Sequence, residues 1–161
     1  MTRPSTPPSV QFEPEFVAGV RELFEHRIPF NALLGLAIDD IGSERVRGHL
    51  AMRPALVGHF VHERIHGGVI SACLDAMGGL AVMAAIGARH LDEPPMQRLQ
   101  RFGKLGTIDL RVDYLRPGIG ERFLLEAEVL RLGSRVASTR MSFLDAKGKL
   151  LATGSAAYIV S

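Results

Sequence analysis

The chain has 161 residues, 47% apolar and 22% charged, a globular balance that fits one domain with a real core and excludes a disordered chain. Nineteen basic residues against seventeen acidic ones leave a net charge of +2, too little for the electrostatic footprint of a nucleic-acid binder. A single cysteine excludes an intramolecular disulfide framework and a multi-cysteine zinc module, and no secretory-type apolar stretch is visible near Met1, so a reducing, cytoplasmic location is expected.

Residues 1–11 read as a flexible lead, because Pro4, Pro7 and Pro8 oppose any packed element. The expected domain covers residues 12–161. An amphipathic helix is predicted over Glu13–Glu25, with Phe16, Val17, Val20, Leu23 and Phe24 on one side and Pro29 closing it. Leu33–Ile41 and Arg45–Met52 read as strands joined by a turn at Asp39-Asp40-Ile41-Gly42-Ser43. In the second, Val46, Gly48, Leu50 and Met52 alternate with Arg45, Arg47, His49 and Ala51, as a half-buried strand requires.

Gly67–Ala88 is apolar or small throughout except for Asp75. Its length admits a membrane span. Asp75, the glycines Gly78, Gly79 and Gly87, and the preference for Ala over Leu favour a buried helix in a soluble protein instead. Burying every face of such a helix needs a sheet that curls around it. His90–Gly106 then reads as a polar loop, and Thr107–Arg116, Arg122–Leu132, Arg135–Leu144 and Leu150–Val160 as strands of an antiparallel meander. In Thr107–Arg116, alternation places Ile108, Leu110, Val112 and Tyr114 on one face and Thr107, Asp109, Arg111 and Asp113 on the other.

Asp75 is the costly residue, since an ionised carboxylate in apolar surroundings must be paired or used. A partner arginine or a solvent-facing position would explain it without chemistry; otherwise it is a base or nucleophile in an apolar cleft. His66-Gly67-Gly68 opens the helix, and free N–H groups there can hold an oxyanion. Gly67 and Asp75 stand about 12 Å apart along a helix, too far for one carbonyl to touch both. A site using both therefore takes them from two chains about a twofold axis, a homodimer with interfacial sites.

His62-Glu63-Arg64-Ile65-His66 matches the H-E-x-x-H zinc-hydrolase pattern, but Gly67-Gly68 interrupts the helix that pattern needs, and no third ligand has an obvious position. Thr107 could bring a hydroxyl to the cleft or sit on a solvent face. Cys73, Met77 and Met83 read as core. The arginines of the loop and strand ends are mostly surface, with a subset suited to phosphate.

Leu56-Val57-Gly58, Ile65-His66-Gly67-Gly68-Val69-Ile70-Ser71-Ala72-Cys73-Leu74-Asp75 and the later Thr107–Gly118 stretch with Arg116-Pro117-Gly118 resemble the hotdog-fold acyl-CoA thioesterases of the phenylacetic-acid-degradation type. The resemblance implies an α+β hotdog fold, a curled antiparallel sheet wrapped around a central apolar helix. It implies Asp75 as catalytic carboxylate and the Gly67 N–H as oxyanion donor, with His66 supporting the turn or polarising the carbonyl and Thr107 orienting water. Gly68 would belong to the substrate-binding turn, Tyr114 and Arg116 would meet the CoA arm, and Arg135 would assist. Many relatives carry an Asn six or seven residues before the motif His; here those positions are Phe60 and His59, and His59 could replace the amide. The implied protein is a homodimer or dimer of dimers that acts on acyl-CoA without a cofactor, without a metal and without a membrane. An acyl-CoA or fatty-acyl binding module on the same fold is the non-enzymatic alternative.

Overall fold

A computed structural model describes residues 10–161. The amphipathic pattern near the start forms α1 (Pro14–Glu22), which continues into one π turn (Leu23–Arg27). The segment ends at Ile28, extended just before Pro29 as expected. Pro29 also opens the next element. It occupies the first turn of a second short helix, α2 (Pro29–Leu34), where a missing N–H costs nothing. Gly35, at φ 77°, closes α2 in the left-handed region, so β1 runs over Leu36–Ile41 and starts three residues later than expected. β2 (Arg45–Ala51) pairs antiparallel with β1. A small hairpin, β3 (Val57–His59) with β4 (Arg64–Ile65), leads into α3 (Gly67–Arg89).

The stretch expected to be a polar loop, His90–Gly106, instead contains α4 (Pro95–Gln100) and a 3-10 turn (Arg101–Lys104). Its charges misled, because Arg98 is fully buried. The Arg98 guanidinium donates to Glu13 at 2.6 Å and to the Gly87 carbonyl at 3.4 Å, and lies 4.6 Å from the Phe16 ring centre. It thereby ties α1, α3 and α4 together. The Glu13 carboxyl is held below its ordinary range, chiefly by that hydrogen bond.

β5 (Gly106–Tyr114), β6 (Arg122–Leu132), β7 (Val136–Asp145) and β8 (Leu150–Ile159) complete a six-stranded antiparallel sheet in the order β1-β2-β6-β7-β8-β5. Only β6-β7-β8 is a meander. β5 crosses to the far edge and pairs with β8, so the expected four-strand meander is corrected to three strands plus an edge.

The sheet curls around α3, which touches β1, β2 and β5 to β8. By length and composition α3 is apolar enough to cross a membrane, yet two-thirds of its most apolar window is buried inside the fold. Leu74, Met77, Leu80 and Met83 are fully enclosed against Phe123, Leu125, Met141 and Phe143 of the sheet. Burial of this kind contributes roughly 1.5–3 kcal/mol per large side chain, which makes the helix the centre of the core.

Candidate active site

The N-terminal end of α3 is built from several directions. The His66 N–H donates to the Leu56 carbonyl at 2.8 Å, and the Ile65 N–H to Gly118 in the Arg116-Pro117-Gly118 turn at 2.9 Å. Gly58 must lack a side chain, because a Cβ there would stand 2.6 Å from the His66 Cα. His66 is the N-cap: its Nδ1 accepts from the Gly68 N–H at 2.8 Å, which places the ring proton on Nε2. The Tyr114 hydroxyl donates to the Gly67 carbonyl at 2.8 Å. The Gly67 N–H has no acceptor among the described residues and sits at the positive end of a 23-residue helix.

Two helical turns on, Asp75 is half-buried on α3. Its Oδ1 accepts from the Thr107 hydroxyl at 2.9 Å and lies 3.1 Å from the Tyr158 hydroxyl, which also donates to the Asp75 carbonyl at 2.8 Å. A β-bulge explains how Thr107 reaches it. Thr107 pairs with Tyr158 and Asp109 with Ala157, leaving Ile108 as an extra residue in β5. The extra residue turns Thr107 onto the helix side with Leu110 and Val112 and puts Ile108 outside, 56% exposed, against the simple alternation expected for this strand.

Beside Asp75 opens a cavity of about 260 Å³, lined by Phe24 of the π turn, Ile28 before α2 and Phe30 within it, and by Phe102, Leu105 and Thr107 after α4. Asn31, Ala72, Gly79 and Tyr158 also face it. An apolar chamber with a carboxylate at its wall can hold an acyl chain while presenting its carbonyl to Asp75. A second hollow, about 440 Å³, lies at the His66-Gly68 end and shares Phe30 with the first.

The remaining expected site residues fall in three places. His59 ends β3, exposed, with its ring 5.0 Å from that of His62. Arg116 is exposed and donates to the Leu150 carbonyl at 2.9 Å. Arg135 lies in the β6–β7 turn, where Arg89 from the last residue of α3 bonds the neighbouring Leu132 and Gly133 carbonyls. That end of α3 is about 33 Å along the helix from Gly67, so one chain does not bring Arg135 to the turn. Tyr114, expected to meet substrate, has its hydroxyl engaged by Gly67.

The H-E-x-x-H pattern falls on the hairpin rather than on a helix. His62 and Glu63 form its turn, Glu63 with φ 48°, and His66 is committed to the helix cap. Helical spacing therefore does not bring the two histidines onto one face, and the metal-site reading of the motif is corrected on that ground.

Sequence reasoning missed Tyr158 and the aromatic wall of the cavity. Tyr158 carried a signal, since a tyrosine at an inward strand position must find a partner for its hydroxyl. Gly78-Gly79 in the facing helix marks where its ring enters: a Cβ on Gly78 would stand 2.2 Å from the phenol oxygen.

A family model described as the thioesterase superfamily matches residues 62–152. The medium/long-chain acyl-CoA thioesterase YigI of Escherichia coli is 37% identical over 141 residues, covering 88% of this chain and 91% of that protein. A solved Shewanella oneidensis protein related to the thioesterase superfamily superposes with a TM-score of 0.85 at 37% identity, over 93% of this chain and all of that one. A crystal structure of a thioesterase-like protein from Syntrophus aciditrophicus gives 0.78 at 34% identity, over 90% and 95%. A central helix wrapped by a curled sheet, the shared sequence and the shared fold together establish that this chain belongs to the thioesterase superfamily.

Proposed function

We propose that this thioesterase hydrolyses medium- to long-chain acyl-CoA at sites shared between two copies of the chain, with Asp75 of one copy facing the Gly67 turn of the other. The observation that carries the reading is Asp75 itself: a carboxylate with one oxygen held by hydroxyl donors, at the wall of an apolar cavity. The name of the Escherichia coli relative supports the substrate class. The nine-residue spacing from His66 to Asp75 supports the phenylacetic-acid-degradation type within the superfamily.

In the reaction, the Asp75 carboxylate takes a proton from water as the water oxygen attacks the thioester carbonyl. The oxyanion forms against the Gly67 N–H and the positive end of α3. When the tetrahedral intermediate collapses, the carbon–sulfur bond breaks, and the CoA sulfur leaves with its electron pair and takes the proton from Asp75, yielding the free acid and restoring the carboxylate. A thioester is electrophilic enough, and a thiolate leaves readily enough, for this chemistry to need no metal. Direct attack by the carboxylate through an anhydride is the variant that the same geometry serves.

Sharing the site follows from the roughly 12 Å between Gly67 and Asp75 within one helix. β5 offers the means, as a nine-residue edge strand with Ile108 and Tyr114 exposed, beside the exposed Leu115. The single cysteine, buried in α3, supports a reducing, cytoplasmic location.

The test is CoA release by Asp75→Asn and Gly67→Pro chains, alone and mixed. Proline removes the Gly67 N–H yet suits the first helical position, and His66 already has the extended conformation that precedes proline. Each variant alone is expected to be inactive, while mixed dimers regain up to one competent site. An active Asp75→Asn protein would refute the chemistry; inactive heterodimers of verified composition would refute the shared site.

A further inference from the structure

Tyr158 comes from the last strand and lines the same cavity as Asp75. It is 2% exposed, and its oxygen meets two acceptors that belong to the same residue: the Asp75 carbonyl at 2.8 Å and Oδ1 at 3.1 Å. A donor shared between a residue's backbone and its own side chain pins that side chain against rotation, because turning the carboxylate loses the contact. Thr107, the cross-strand neighbour of Tyr158, donates to the same Oδ1 at 2.9 Å.

We propose that Tyr158 is a positioning residue for the reaction: with Thr107 it occupies Oδ1 of Asp75 and leaves Oδ2 as the oxygen that works on water or the thioester. This rests on Asp75 being the reacting carboxylate, as proposed above. Burial, and after it the negative charge of Asp75, pushes the Tyr158 phenol well above its ordinary range, so it stays protonated and remains a donor. The hydroxyl thus serves orientation. Among the described residues lining the cavity, Asp75 and Tyr158 are the only titratable ones, so no other charge there competes for the role.

A core tyrosine whose hydroxyl is merely satisfied would make the same contacts, and kinetics separates the two. Tyr158→Phe keeps the ring and removes the donor. With decanoyl-CoA as probe, kcat is expected to fall about tenfold, while KM changes less than about threefold, because the loss lies in the reacting geometry and not in acyl binding. Thr107→Val, at the exposed edge strand, is expected to give the same split, and Thr107→Ser to restore kcat. Gly78→Ala reaches the phenol oxygen from the helix and must also lower kcat, which keeps the test open if Tyr158→Phe folds poorly. A folded Tyr158→Phe protein with lower thermal stability and unchanged kcat overturns the proposal, as does an unchanged kcat in Gly78→Ala. Asp75→Asn is measured alongside. If it is inactive while Tyr158→Phe is unaffected, only the positioning role fails; if it is active, the reading beneath it fails.

Discussion

Two adjacent glycines in α3 should respond to the same substitution with opposite signs. A Cβ on Gly78 would meet the Tyr158 oxygen at 2.2 Å and its ring carbons at 3.0 and 3.1 Å; one on Gly79 meets nothing closer than 3.8 Å. Relief at Gly78 requires the phenol oxygen to retreat by about 0.8 Å, to reach a 3.0 Å contact. A retreat directed away from Asp75 would stretch the 2.8 and 3.1 Å contacts to about 3.6 and 3.9 Å, past hydrogen-bonding range. Overpacking of a tight core costs about 1–3 kcal/mol and the lost hydrogen bond about 1 kcal/mol, against a gain of about 1 kcal/mol from replacing glycine within a helix. Gly78→Ala is therefore expected to destabilise by about 1–3 kcal/mol. Gly79→Ala keeps the helical gain without the clash and should stabilise by up to about 1 kcal/mol. In a domain of this size each kcal/mol moves Tm by about 2–4 °C. Urea unfolding and thermal melting followed by circular dichroism at matched protein concentration read both effects. A Gly78→Ala protein as stable as the parent would show that Tyr158 is not wedged against the helix. Gly79 also lines the cavity, so its alanine variant should lose turnover of the longest acyl chains first.

The cap and the buried thiol give two further expectations. His66→Ala removes the acceptor for the Gly68 N–H and should cost about 1 kcal/mol in urea unfolding, while His66→Asn, which can cap, should recover most of it; equal stability of the two variants would remove the capping role. Burial pushes the Cys73 thiol up to about 12 and encloses it completely, so a disulfide exchange reagent at pH 8 should label it only as the protein unfolds. Rapid labelling of the folded protein would contradict the packing of α3.

The central helix was legible because its apolar run had no polar face, and a helix without a polar face must be surrounded. Asp75 stood out for the same reason, as the one charge in that run. Other features were hidden by physics that operates between distant segments. Arg98 read as surface because burial of a guanidinium depends on Glu13 and Phe16, more than eighty residues earlier. The place of β5 beside β8 is a matter of long-range pairing, because the short link over residues 115–121 leads to β6, with which β5 does not pair. The bond from the Tyr114 hydroxyl to the Gly67 carbonyl joins residues 47 positions apart, so the local pattern of β5 does not show it. The acyl-sized cavity was invisible because its aromatic wall comes from two segments, around Phe24–Phe30 and Phe102–Leu105, that each look like ordinary amphipathic or loop sequence.

The bulge at Ile108 makes the helix-facing side of β5 a question of parity. Thr107 faces Asp75 because an odd residue intervenes before the regular pairing resumes at Asp109. Removing one residue at that point would leave every remaining side chain chemically intact and still turn the Thr107 hydroxyl toward solvent. The donor set of Asp75 is thus encoded by a count of residues as much as by their identities, and a length change of one can do to this carboxylate what a point substitution does elsewhere.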